Sequence, residues 1–227
     1  MRSLVVASQK GGVGKTTTVL NLAAVASQQG RVVIVDTDPI SSVAASLGLE
    51  PEPAQPGTPR LTPDVLPGVD LMVWAPDDSG SAAELRARLA ELGAEHALAL
   101  IDVQPWVGPE SDEIYSTADE LVTVLRADPL SFRTLPGFLR TITRLRDERE
   151  LEFRGVVLTL PAGEAPGGDW ERSLRGRFGD AILPSSIPWD DAVSEALMAR
   201  RPVVLAAPES AAAERYRALA GDLGLSP

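Results

Sequence analysis

The chain is 227 residues long, carries a formal net charge of −11, is 44% hydrophobic and contains no cysteine. That length suits one compact domain, 1–227, with a sizeable core. The missing cysteines exclude disulfides, thiolate metal sites and iron–sulfur ligation by this chain, and the acidic balance excludes a nucleic-acid binder that works with its whole surface. An apolar run begins as early as Leu4, so neither a signal peptide nor a preceding DNA-binding domain is expected. No apolar stretch approaches the length of a membrane span, and a cytoplasmic location is expected.

The first apolar run, residues 4–7, reads as a buried strand, and residues 16–29 read as a helix closed by Gly30. Between them lies Q-K-G-G-V-G-K-T-T, residues 9–17. Its Lys10 and Lys15 are the only lysines in the chain; the other 19 of 21 Lys and Arg residues are arginine. A bias that replaced lysine elsewhere spared these two positions. Glycines at 11, 12 and 14 let the chain turn with positive φ and gather backbone N–H groups around an anion. The helix that follows points its unpaired amides and positive dipole end at the same spot. Strand, glycine loop, G-K-T and helix in that order form a phosphate-binding loop, in which Lys15 reaches the β- and γ-phosphates and the Thr16 hydroxyl reaches Mg²⁺.

Residues 32–35, V-V-I-V, predict a second buried strand that delivers Asp36 and Asp38 into a loop, with Pro39 disfavouring helix at Asp38. Residues 51–68 contain six prolines and two glycines and are expected to form an irregular surface loop. Residues 69–74 read as a strand, 82–92 as a helix, and 98–101 as a strand ending in Asp102. An apolar strand ending in Asp is the pattern that places a carboxylate beside Mg²⁺. Residues 121–125 and 156–160 complete the strands, while 133–146, 170–178, 192–199 and 210–223 read as helices. The alternation predicts an α/β domain with a mostly parallel twisted sheet and helices on both faces. Ligands in such folds sit at the carboxyl ends of the strands, where residues 10–16 fall.

Two arginine groups stand out. Arg133, Arg140 and Arg144 share a helical face, with Arg146 and Arg149 nearby; Arg172, Arg175, Arg177, Arg200 and Arg201 form the second group. Such stripes contact phosphates of nucleic acid. Glu148, Glu150 and Glu152 lie beside the first, so a solvated helix is the competing reading. The last helix is short and carries acids, which makes a poor membrane anchor.

The loop departs from G-x-x-x-x-G-K-[ST], with Gln9 at the first glycine position and Lys10 before the glycine pair. In this it resembles the deviant Walker A loop of the ParA/MinD family of ATPases, single-domain P-loop NTPases. The resemblance implies ATP binding by Lys10, Gly11, Gly12, Val13, Gly14, Lys15, Thr16 and Thr17. It further implies that Lys10 crosses a dimer interface to touch the nucleotide of the other subunit, neutralising charge as an arginine finger does. Asp38 would orient the attacking water or support Mg²⁺, and Thr16 and Asp102 would stand at the metal. Asp128-Pro129-Leu130-Ser131-Phe132 resembles the start of the family's interface helix. Gly155 to Thr159 and Ile187-Pro188-Trp189 resemble the strand and loop that approach the base, implying adenine contacts at Leu160, Pro161, Pro188 and Asp190.

There are departures. Ile40, Ser41 and Ser42 stand where the family has glutamine, a small residue and asparagine, and Val103, Gln104, Pro105 and Trp106 replace Pro-Pro-Ser. They bear on hydrolysis rate and switch contacts. Within the wider superfamily, the nitrogenase iron protein, its chlorophyll-pathway relatives and the iron–sulfur scaffold ATPases need cysteine ligands, and the bacterial tyrosine kinases carry a tyrosine cluster. This chain has no cysteine and only Tyr115 and Tyr216. The expected function is a small ParA-type ATPase that forms a homodimer with ATP and Mg²⁺, binds DNA nonspecifically, hydrolyses slowly and answers to an adaptor of ParB type. It would partition DNA or position a cargo, in association with the nucleoid. A dimeric scaffold with little hydrolysis, a MinD-like positioning ATPase and a metabolic amidoligase on the same scaffold remain open alternatives.

Overall fold

The computed structural model describes residues 1–38, 41–50, 59–74, 82–104, 109–148 and 150–226. Pro39, Ile40, Pro105, Trp106, Arg149 and residues 51–58 of the proline-rich segment lie outside the described residues.

Apolar runs rich in Val, Ile and Leu form the centre of an eight-stranded sheet. Its strands are β1 (Arg2–Ala7), β2 (Val32–Asp36), β3 (Arg60–Leu66), β4 (Val69–Val73), β5 (Leu98–Asp102), β6 (Glu120–Arg126), β7 (Glu152–Thr159) and β8 (Ile182–Ile187). They lie in the order β3-β4-β2-β5-β1-β6-β7-β8, and every pair is parallel except β3 with β4. The helices are α1 (Lys15–Ala26), α2 (Ser42–Ser46), α3 (Ala82–Leu92), α4 (Pro109–Tyr115), α5 (Pro129–Glu148), α6 (Asp169–Phe178), α7 (Asp191–Met198), α8 (Val203–Ala206) and α9 (Ala211–Asp222).

Successive strand residues face opposite sides, so each strand serves two cores. Leu4, Val6, Ile34 and Leu100 pack with residues of α1, α2, α8 and α9. Val5, Ala7, Val33, Val35, Ala99 and Ile101 pack with residues of α3, α4, α5 and α6. Burial on both faces explains why these strands read as continuous apolar runs. Register then sets the site. Asp102 of β5 stands level with Asp36 of β2 and with Val6 of β1, so both carboxylates reach the carboxyl edge where the chain leaves β1 for the loop at residues 8–14.

The expected loop at 51–68 is corrected by the structure: its residues 60–66 form the edge strand β3. An edge accepts Pro63, which has no N–H to donate. The register shifts between Thr62 and Leu66, and Asp64 turns with φ of 49°, the signature of a bulge. Strand β8 also escaped the pattern, because Pro184 and two serines interrupt its apolar run on the opposite edge. Helix α5 begins four residues before the expected start at 133, because Asp128 caps it by accepting from the Ser131 amide at 2.8 Å while Pro129 takes the first helical position.

The edge formed by β3 and β4 is held by a buried charge cluster. Asp70 accepts from Arg31 at 2.6 Å, the Asp64 amide at 2.9 Å and His96 Nε2 at 2.8 Å. Burial pushes the Asp70 carboxyl up, but the Asp64 amide, His96 and Arg31 outweigh it and hold it below the usual carboxylate range. Removing Asp70 leaves the buried His96 Nε2 without its partner and Arg31 without its acid. Asp70→Ala is therefore expected to lower the unfolding free energy by about 3 kcal/mol in a urea titration; an unchanged midpoint would contradict this account of the edge.

Candidate functional site

The loop between β1 and α1 takes its shape from two glycines. Gly12 and Gly14 have φ of 71° and 89°, whereas Gly11, expected to turn in the same way, is not among the positive-φ glycines. Gly14 occupies the left-handed N-cap of α1, which has neither a side-chain cap nor an acid in its first turn. That end presents amide hydrogens and a positive dipole to an incoming anion. The loop is pinned from outside: Ser8 Oγ donates to the Lys10 carbonyl at 3.1 Å, and Thr159 Oγ1 of β7 donates to the Val13 carbonyl at 3.0 Å. Gln9 has a buried Oε1 with no hydrogen-bond partner among the described residues.

Lys15 and Thr16 converge on Asp102. The Lys15 ammonium pairs with Asp102 Oδ1, with side chains 9% and 0% exposed, and the Thr16 hydroxyl donates to Oδ2 at 2.8 Å. Burial pushes the Asp102 carboxyl up, against the pull of Lys15 and Thr16. Asp36 is pushed up to about 6, mainly by burial, with the Asp102 and Asp38 charges adding to it and the amides of Asp38 and Val43 opposing it. Its oxygens accept from the Asp38 amide at 3.0 Å, the Val43 amide at 2.9 Å and Ser41 Oγ at 3.2 Å. Asp36 thus organises the turn that carries Asp38. Asp38 itself accepts from Ser42 Oγ at 2.7 Å and from Gln104 Nε2 at 3.4 Å.

Lys10 stands apart from this cluster. Its ammonium, on a side chain 40% exposed, pairs with Asp128 Oδ2 at 3.0 Å. Burial pushes the Asp128 carboxyl up, but the Ser131 amide and Lys10 outweigh it and hold it below the usual range. One carboxylate therefore caps α5 and holds the loop's outer lysine.

On the other flank a cavity opens between the loop and the ends of β7 and β8. Gly12, Gly14 and Thr17 form one wall, and Thr159, Leu160, Pro188 and Trp189 face them. Leu160 and Pro188 sit where expected, whereas Pro161 is not part of the lining. Asp190 borders the cavity, yet its carboxylate is committed elsewhere: it accepts from the Ala192 amide of α7 at 3.0 Å and the Ala212 amide of α9 at 2.9 Å. The lining also includes Arg126, Val193, Ser194 and Tyr216, none of which the sequence singles out as a site residue. Arg126 had a signal, a cation ending an apolar strand. Trp189, 51% exposed, adjoins an expected contact, and Tyr216 lies in the helix expected at 210–223.

Among the described residues no group of three or more His, Cys, Asp or Glu is placed to hold a metal ion. A divalent cation at Thr16 and Asp102 would take few protein ligands and complete its shell with phosphate and water oxygens, which is the habit of Mg²⁺. The donor set at this spot, a hydroxyl and a carboxylate on one edge of an anion cradle, fits that ion.

The arginine groups separate. Arg133, Arg140 and Arg146 lie exposed on α5, while Arg144 is tied to Asp112 and Glu148. In the second group Arg172 pairs with Asp169, Arg175 with Glu171, and Arg177 lies over the Phe132 ring at 4.5 Å. Helix α9 buries Ala212, Tyr216 and Leu219 in the core. Among the described residues no helix is long and apolar enough to cross a membrane.

Residues 4–203 match the family model of the CobQ/CobB/MinD/ParA nucleotide-binding domain. The chromosome-partitioning ATPase Soj of Thermus thermophilus is 30% identical, over 98% of this chain and 95% of its own. The ATP complex of Cyanothece McdA superposes with a TM-score of 0.81 at 21% identity, covering 100% of this chain and 98% of that one. A cobyrinic acid a,c-diamide synthase of Mycobacterium smegmatis with bound ADP and magnesium gives a TM-score of 0.75 at 26% identity, over 98% and 93% of the two chains.

The raised Asp36 carboxyl makes a pH prediction. Asp36 titrates near 6 in the folded chain against 3.8 as its ordinary value, so between those values the native state keeps a proton that the unfolded chain has released. Its contribution to stability is fully present below about 3.8 and is lost as pH rises through 6. Asp36→Asn is expected to gain about 2 kcal/mol on the wild type between pH 4 and pH 7, read as the change in the difference between their unfolding free energies. A difference that does not vary with pH contradicts the burial argument.

Proposed function

The chain belongs to the CobQ/CobB/MinD/ParA nucleotide-binding family, and on that premise we propose that it is an ATP-dependent dimerising switch of the ParA type that partitions DNA or positions a cargo. The observation that carries this reading is the division of labour between the two lysines. Lys15 is buried at the base of the loop on Asp102, while Lys10 stands half-exposed at its outer edge on Asp128.

ATP would lie with its phosphates over the amides of residues 12–17 and its base in the cavity beside Leu160, Pro188 and Trp189. Lys15 then exchanges Asp102 for the β- and γ-phosphates, a short swing for a flexible four-carbon stem. Mg²⁺ held at Thr16 and Asp102 would supply charge neutralisation on the same phosphate oxygens. Asp38, fixed by the turn that Asp36 builds, aligns the attacking water. Positioning and electrostatics supply most of the catalysis in phosphoryl transfer, so a weakly basic Asp38 suffices. Lys10 leaves Asp128 to meet the nucleotide of a second copy, which makes dimerisation conditional on the γ-phosphate.

The DNA surface is assigned to Arg133, Arg140 and Arg146 on α5, which are exposed and not tied to acids in the way Arg144 is. The naming of the Soj relative as a chromosome-partitioning ATPase supports that role. An adaptor of ParB type would stimulate hydrolysis, and the protein would work in the cytoplasm on the nucleoid. The likeness to a diamide synthase favours a second reading, an amidoligase; phosphate release accelerated by a small carboxylic acid and indifferent to DNA would support it.

DNA retention and phosphate release test the proposal together. With ATP the wild type is expected to hold DNA and with ADP to release it. Lys10→Ala should lose DNA retention while still binding ATP. Asp38→Ala should keep DNA bound and release phosphate at least tenfold more slowly. Equal DNA binding with ADP and ATP would sink the switch.

A further inference from the structure

Arg126 ends β6 in register with Thr159 of β7, the residue whose hydroxyl holds the Val13 carbonyl of the loop. The cavity wall places Arg126 with Gly12, Gly14 and Thr17 on one side and Leu160 and Pro188 on the other. It therefore lies where the phosphate cradle gives way to the apolar base site, across the loop from Lys15 and Asp102.

Other half-buried arginines among the described residues have partners: Arg2 and Arg154 hold Glu120, Arg175 holds Glu171 and Arg86 donates to Ser116. Arg126 is half-buried as well, yet among the described residues its guanidinium has no hydrogen bond or ion pair. Asp190, the acid that borders the same cavity, has both oxygens committed to helix amides. No nitrogen of this guanidinium is among the buried atoms without a partner, so it reaches solvent and can meet an anion without giving up an acid. Its planar fork of donors suits two oxygens of a phosphate group.

We propose that Arg126 is a nucleotide-binding residue that grips the α- and β-phosphates of bound ATP and ADP from the flank opposite Lys15. This rests on the nucleotide reading of the site. Because the contact is to phosphates that both nucleotides share, Arg126 governs how long the protein keeps any nucleotide and leaves the choice between ATP and ADP to Lys10 and the γ-phosphate.

The test measures ADP and adenosine binding by the wild type, Arg126→Gln and Arg126→Lys, by calorimetry or by competition with a fluorescent ADP analogue, with thermal melts as the control for folding. Arg126→Gln should weaken ADP at least tenfold and leave adenosine unchanged, and Arg126→Lys should recover part of the loss. Unchanged ADP affinity in Arg126→Gln would overturn the inference. A parallel loss for adenosine would also overturn it, because the guanidinium would then serve the base or the cavity wall. Failure of the wild type to bind ADP at all would remove the nucleotide reading and this inference with it.

Discussion

The buried contact of Lys15 with Asp102 is the constraint on which the rest of the site depends. Neither charge has water to solvate it, so each needs the other until something better arrives. The pair joins the start of α1 to the end of β5, and the register of β2 with β5 brings Asp36 level with it. Three carboxylates at 36, 38 and 102 thus meet one buried ammonium; burial, with the Asp102 and Asp38 charges adding to it, pushes the Asp36 carboxyl up to about 6. A nucleoside polyphosphate alone would take Lys15 and leave Asp102 stranded; a divalent cation alone would crowd Lys15. Anion and cation together satisfy both, which is why a phosphate cradle and a Mg²⁺-type donor pair occur in one place.

Much of this was legible in the chain because it depends on local rules. The β1-loop-α1 unit is written in an apolar run, three glycines and G-K-T, and the two-faced strands are written in unbroken Val, Ile and Leu. What was not legible depends on neighbours. Edge strands β3 and β8 carry prolines that a central strand would refuse, and only their position in the sheet permits them. Asp190 reads as a ligand-facing acid until the fold brings the ends of α7 and α9 onto its two oxygens. Arg126 is marked only as a cation ending an apolar strand until the fold sets it beside the loop with no side-chain partner among the described residues.

The residues that depart from the family pattern are not scattered. Ser42 and Gln104 both reach Asp38, so these residues act on the carboxylate proposed to align the attacking water and lie outside the loop at 9–17. Lys10 works at a different joint. Its partner Asp128 is also the cap of α5, the helix that carries Arg133 and Arg140 on its exposed face. The proposed movement of Lys10 toward a second nucleotide would release one of the contacts on that cap. The nucleotide face and the arginine face are thus connected through a single carboxylate.

The central claim is that this face closes on a second copy of itself only around ATP. Sedimentation of the wild-type protein with Mg²⁺ and either ATP or ADP tests it most directly. The account predicts a monomer with ADP and a species of twice that mass with ATP. The same mass with both nucleotides would contradict it.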